Sequence, residues 1–182
     1  MTRVTASGGR MQLKRTARVI SPLKATSVLL SRPCRYAIRA LSYLGMQPPG
    51  RLSGTREISE HEHIPNPFLS KVLAQLRRGG FLRSFKGIKG GYELASPPDR
   101  IALLAIVRCI DGMPLDECIL EDRNCPNQRP CPLHQSWSAV RAQVLNFLEQ
   151  STLAELVRMR QSRFEEHPGE PGSPILRGMV DC

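Results

Sequence analysis

Between Cys118 and His134 the segment CILEDRNCPNQRPCPLH holds three of the chain's six cysteines and one of its four histidines. The spacing is Cys118-x6-Cys125-x5-Cys131-x2-His134. Pro126, Pro130 and Pro132 interrupt any regular helix, so the segment reads as a loop that can fold its side chains round one centre. Three thiolates and one imidazole are soft to borderline donors, the set that suits zinc or an iron–sulfur cluster. Structural zinc sites favour tighter pairs, with two to four residues between cysteines. The wider gaps here fit a larger object, a 2Fe-2S cluster first and a 4Fe-4S cluster second. A zinc site, and free or redox-paired thiols, are the other readings of the same spacing. The remaining cysteines invite less: Cys109 lies in an apolar helix and reads as core, Cys34 reads as packing, and Cys182 is the terminal residue. His61 and His63 sit at a polar helix end and read as solvated, and His167 falls in a polar tail.

Which chemistry the sulfurs do depends on their compartment. No run approaches the ~18 apolar residues of a membrane span. The N-terminus is basic but lacks an apolar signal core, so the expected location is cytoplasmic. Clustered cysteines in a reducing compartment are metal ligands or redox groups more often than structural disulfides.

The charge is unevenly placed. The net charge is +10, and residues 1–56 carry eleven Lys/Arg and no acid, while residues 63–92 carry six more and again no acid. A field of that sign on the N-terminal half favours a polyanionic partner. Apolar residues make up 41% of the chain, enough to build a packed core. Paired carboxylates, a nucleophile with its base and a glycine-rich phosphate loop before a helix are all missing, so the sequence does not read as an enzyme.

The elements that would position these residues follow from periodicity. Residues 1–28 read as a basic arm. Tyr36, Ala37, Ala40, Leu41 and Leu44 recur at helical spacing, and Pro48–Gly50 stops that helix. Ser53 or Thr55 can cap a short helix to Glu62, and His63–Pro65 forms a turn. Asn66 suits an N-cap and Pro67 the first helical position, so the next helix runs to Arg78 and ends at Gly79–Gly80. Its expected buried face is Phe68, Leu69, Val72, Leu73 and Leu76; its expected outer face is Ser70, Lys71, Ala74, Gln75 and Arg78. Phe81–Phe85 and Tyr92–Ala95 alternate as strands, with Gly87, Gly90 and Gly91 in the turn between them. Two helices joined by a tight turn and followed by a basic hairpin make a winged helix-turn-helix. A helix over 99–110 follows. After the cysteine loop one long helix is expected from Gln135 to Met159, with Trp137, Val140, Val144, Phe147, Leu148, Leu153 and Leu156 as its stripe.

The fold class is therefore mainly α with a small β-hairpin wing. Its parts are a basic arm at 1–28, a winged helix-turn-helix at 29–112, a cysteine-rich loop at 113–134, a long helix at 135–160 and a disordered tail at 161–182. The expected partner is a double-stranded DNA operator. Lys86 and Lys89 on the wing, with Arg77 and Arg78, are placed for phosphates. Ser70, Lys71 and Gln75 are the candidates for base edges.

RYAIRAL, FLSKVLAQLRRGGFLRSFKGIKGGYELA, the proline-flanked loop ending in CPLH and the pattern W...V..FLEQSTLAEL together resemble the Rrf-two family of bacterial winged-helix transcription regulators. The resemblance covers about Leu30 to Met159. It implies a homodimer that crosses its long C-terminal helices and sets two winged helices on a palindromic operator. It also implies an iron–sulfur cluster held by Cys118, Cys125 and Cys131, with His134 as fourth ligand, sensing iron, redox state or nitric oxide. The first cysteine gap is one residue longer than in the branch that uses this histidine. In another branch an acid at the start of the first helix is a ligand; Arg35 stands there and cannot serve, which leaves the neighbouring Cys34 of a partner subunit as the alternative to His134. A cluster-free or zinc-bound regulator with a thiol switch is the other functional reading.

Overall fold

A computed structural model describes residues 30–87, 89–112 and 132–166. Helices α1 (Arg32–Gly45), α2 (Thr55–Glu62) and α3 (Asn66–Arg78) come first. They are followed by the antiparallel strands β1 (Leu82–Phe85) and β2 (Gly91–Leu94), a 3-10 turn at Pro98–Arg100, and α4 (Leu103–Asp111). Helices α5 (Pro132–Gln150) and α6 (Leu153–Glu166) complete the described chain. Helices with a basic hairpin wing are the architecture the sequence predicts.

Each element has a local cause. Ser31 accepts the Cys34 backbone N–H at 3.1 Å, which caps α1. Glu57 accepts the Gly54 N–H at 3.3 Å at the start of α2. His63 ends α2 in the left-handed region at φ 49°. That fixes the sharp turn into α3, whose N-cap is Pro65, one residue before the expected Asn66. In the wing, Arg83 lies opposite Glu93 and Phe85 opposite Gly91. Ser53 adds a third backbone rung, donating to Tyr92 O at 3.1 Å and accepting from Tyr92 N at 2.9 Å. A Cβ at Gly91 would stand 2.7 Å from Ser53 O, so only glycine lets that rung form.

The core lies where α1, α3 and α4 meet. Ala37, Leu41, Ile58, Leu69, Leu73, Leu76, Ile106 and Val107 are fully buried there. Leu153 joins them at 0% exposure from the start of α6.

Several expectations change. The long C-terminal helix is two helices, broken at Ser151–Thr152. The break pairs with an extended stretch before α4: Leu103 N donates to Ser151 O at 2.9 Å, and Leu153 N to Ile101 O at 2.8 Å. The same pairing explains why the expected helix at 99–110 is a 3-10 turn, an extended link and then α4. Helix α6 continues to Glu166, so residues 161–166, expected as part of a disordered tail, are helical.

Candidate nucleic-acid interface and metal centre

Helix α3 buries Leu69, Val72, Leu73 and Leu76, which turns Ser70, Lys71, Arg77 and Arg78 outward and exposed. The Ser70 hydroxyl donates to Asn66 O at 2.9 Å and lies 3.3 Å from Asn66 Oδ1. Its proton is thus used inside the helix, and what it offers outward is acceptor lone pairs. Arg77 and Arg78 occupy the last turn of α3, where the helix dipole favours cations. Lys86 and Lys89 are exposed on either side of the hairpin tip. Arg83 is less available, because its Nε binds Glu93 Oε1 across the strands at 2.9 Å.

Two residues of α3 sit otherwise than expected. Phe68 belongs to no buried face; it is 58% exposed. The helix begins at Asn66, and its core-facing stripe starts one residue later, at Leu69. Gln75 is not on the outer face. Its amide Nε2 donates to Cys109 O at 2.9 Å and Ile110 O at 3.3 Å, capping carbonyls at the C-terminal end of α4. A side chain so engaged is not presented to a base edge.

The end of α4 is held from a second side. Asp111 accepts the Ser31 N–H at 3.0 Å and also the Ser31 hydroxyl. The cysteine-bearing residues begin just beyond this clamp. Cys118, Cys125 and Cys131 lie outside the described residues, and His134 falls in the first turn of α5. Among the described residues no three His, Cys, Asp or Glu side chains are grouped to hold a metal.

Cys34 is a core residue, 0% exposed. Burial first, then the charge of Asp111 and a hydrogen bond to it, push its thiol up to about 12. A metal ligand must be a thiolate, and this environment opposes that form. Cys109 is half-buried against Gly79, and burial raises its thiol too.

One cluster carried no sequence signal beyond ordinary charges. Glu62, at 3% exposure, binds Arg39 Nε at 3.2 Å and Arg160 Nη2 at 2.6 Å. His61 Nδ1 stands 3.1 Å from the same carboxylate, and its ring lies 4.4 Å from that of Tyr43. Arg39 also donates to Glu62 O, and Arg160 to Arg39 O at 3.2 Å. Burial pushes the Glu62 carboxyl up, but the His61 and Arg160 hydrogen bonds and the two guanidinium charges outweigh it and hold it below its usual value. This knot ties α1, α2 and α6 together. His63, read as solvated, is exposed, and its Nδ1 lies 2.8 Å from Glu60 O; His61, also read as solvated, is part-buried in this knot.

The family model of the Rrf2 proteins, described as iron-dependent transcriptional regulators, matches residues 30–159. The chain belongs to the Rrf2 family. An Aquifex aeolicus protein named as a helix-turn-helix-type transcriptional regulator is 32% identical over 137 residues, 74% of this chain and 94% of the relative. Among solved structures, CymR of B. subtilis, the global cysteine regulator, is similar with a TM-score of 0.63 at 25% identity, over 71% of this chain and 96% of that one. IscR of T. potens shares the fold with a TM-score of 0.60 at 22% identity, over 74% of this chain and 89% of that one. As an Rrf2 protein the chain is a DNA-binding transcriptional regulator and not an enzyme. Among the described residues no helix is long and apolar enough to cross a membrane.

Proposed function

We propose that this Rrf2 protein binds a palindromic operator as a homodimer and changes its grip on DNA with the state of an iron–sulfur cluster. The observation that carries the reading is the donor set Cys118, Cys125, Cys131 and His134 in a chain whose family model is described as iron-dependent. Three thiolates and an imidazole fit a cluster, 2Fe-2S in preference to 4Fe-4S, and His134 in the first turn of α5 is the fourth ligand in preference to the buried Cys34. A cluster bound there supplies a chemistry that oxidants, nitric oxide and iron supply can alter.

The path from that segment to DNA is short. Residues 113–131 join α4 to α5. The end of α4 is bonded to α3 through Gln75 and to the cap of α1 through Ser31. Fixing the connection therefore fixes the setting of α3 relative to α5, and a change in ligation acts on operator affinity only through a difference between those two settings.

Ser70 and Lys71 are the proposed base-edge contacts, while Arg77, Arg78, Lys86 and Lys89 are the proposed phosphate contacts. Gln75 leaves the base-reading set because its amide is committed to α4. Leu133, Val140 and Phe147 recur every seventh residue along α5 and are 50%, 48% and 63% exposed. Trp137 and Val144 lie between them at alternating steps of four and three, the pattern of a helix seam that awaits a second copy.

The Cys125→Ala variant tests the sensor. Purified without oxygen, it is expected to lack bound iron, sulfide and visible absorption, and its operator affinity should ignore nitric oxide. A variant that keeps the chromophore would contradict the ligand assignment. The similarity to CymR, a cysteine regulator, favours a second reading in which the same sulfurs form a thiol switch without a cluster. Metal-free protein whose operator affinity still answers to oxidant would support it.

A further inference from the structure

We propose that Phe68 is a specificity-determining residue that reads the 5-methyl group of a thymine in the major groove. This rests on the reading of α3 as the groove-entering helix and is independent of any cluster.

The first turn of α3 is exposed from Pro65 through Phe68, and the exposure resumes at Ser70 and Lys71. The helix meets α1, α2, α4 and β1 through the stripe of Leu69, Val72, Leu73 and Leu76. Phe68 lies outside that stripe, with 58% of its surface in water. Lys71 is three residues on, the spacing that puts two side chains on one helix face. A phenyl ring therefore sits beside a cation at the tip of the helix, with the exposed Arg77, Arg78, Lys86 and Lys89 supplying charge elsewhere on α3 and the wing. An apolar face unconnected with charge would suit another protein. This one is set in a field complementary to a polyanion.

What a phenyl ring can recognise in a duplex is narrow. Every base edge in the major groove presents donors and acceptors, and a ring laid on them would strip water without replacing its hydrogen bonds. The thymine methyl is the apolar exception in unmodified DNA. Round the helix from the ring, Ser70 offers acceptor lone pairs to other base edges, and Asn66, whose oxygen lies near the Ser70 hydroxyl at 3.3 Å, is left with its amide N–H groups to donate. The helix tip thus carries an apolar contact on one side and a polar donor and acceptor on another.

The test uses the full-length protein and a duplex selected by it from a random pool. Each thymine is replaced in turn by uracil, which lacks only the methyl group, and dissociation constants are measured for wild type, Phe68→Ala and Phe68→Leu. Wild type is expected to lose roughly threefold to fivefold at one thymine of each half-site, the size of one buried methyl. Phe68→Ala should start from that weaker affinity and be indifferent to uracil at the same position. Phe68→Leu should keep part of the discrimination. Binding to unselected DNA should match in all three proteins. If uracil costs Phe68→Ala as much as it costs wild type at every position, the ring touches no methyl and the inference is wrong. An operator loss in Phe68→Ala with no coupling to any thymine would likewise overturn it, and point to a protein partner for the ring. Wild type that selects no sequence at all would instead overturn the base-reading role of α3, a failure distinct from that of Phe68.

Discussion

Helices α3 and α5 both carry regular apolar residues, but among the described residues only α3 finds partners for its whole stripe. Helix α3 buries Leu69, Val72, Leu73 and Leu76 against three other helices and the wing, and what it leaves outside is largely polar and basic. Helix α5 buries Leu148, rests Val144 and Leu145 partly on the same core, and leaves Leu133, Val140 and Phe147 about half exposed or more. Burying an apolar side chain is worth about 1.5–3 kcal/mol, so a row of such residues left in water marks an unfinished interface. The difference separates two tasks. The reading unit buries its apolar stripe within the described residues, whereas the helix after the cysteine segment keeps an exposed apolar row, the face proposed for a second copy.

Substitutions can break or sharpen this contrast. The largest expected effect is at Leu73, which is fully buried between the helices. Leu73→Ala should cost about 2–5 kcal/mol in chemical denaturation, since it removes methyl groups and leaves a cavity. A loss near zero would mean that the core is not closed in one chain.

The next effect concerns the tie between the reading unit and the C-terminal helices. Arg160→Ala removes the 2.6 Å bond to buried Glu62 and should cost about 1.5–3 kcal/mol. The same knot predicts acid lability. The carboxyl of Glu62 is held below its ordinary value of 4.5, so its stabilisation is present above that value and is lost as pH falls through the folded value. Unfolding free energy of wild type should therefore drop as pH falls below 4.5, and in Glu62→Gln this part of the drop should vanish. An unchanged acid slope in Glu62→Gln would show that other carboxylates carry it.

The smallest effect on the fold is expected at Phe147, the most exposed large apolar residue among those described. Phe147→Asp should leave the helical circular dichroism intact, within about 0.5 kcal/mol of wild type. Sedimentation should show its mass falling from two copies to one. A variant that still pairs would move the association face away from α5.

The winged helix was legible in the sequence because its signals are local. The proline in the first turn of α3, the helix period through Leu69 and Leu76, and the glycines of the hairpin each act within a few residues. Gln75 was misplaced because periodicity gives its angle on the helix but not the nearness of the Cys109 and Ile110 carbonyls 34 and 35 positions away. The break at Ser151–Thr152 had the same cause: no proline or glycine marks it, and it exists because Ile101 and Leu103 offer backbone partners. Glu62 carried no sign of burial, since its partners Arg39 and Arg160 are 23 and 98 positions distant. Of the candidate site, the basic side chains on α3 and the wing were readable as exposed charge, while the three loop cysteines were readable as a donor set by type and spacing alone.

The most direct test of a cluster-governed regulator is the operator dissociation constant of anaerobically prepared protein, measured with and without reconstituted iron and sulfide. Bound iron and sulfide are expected in the reconstituted sample, with affinities that differ by roughly fivefold or more. Equal affinities in the two preparations, with iron and sulfide demonstrably bound in one of them, would contradict it.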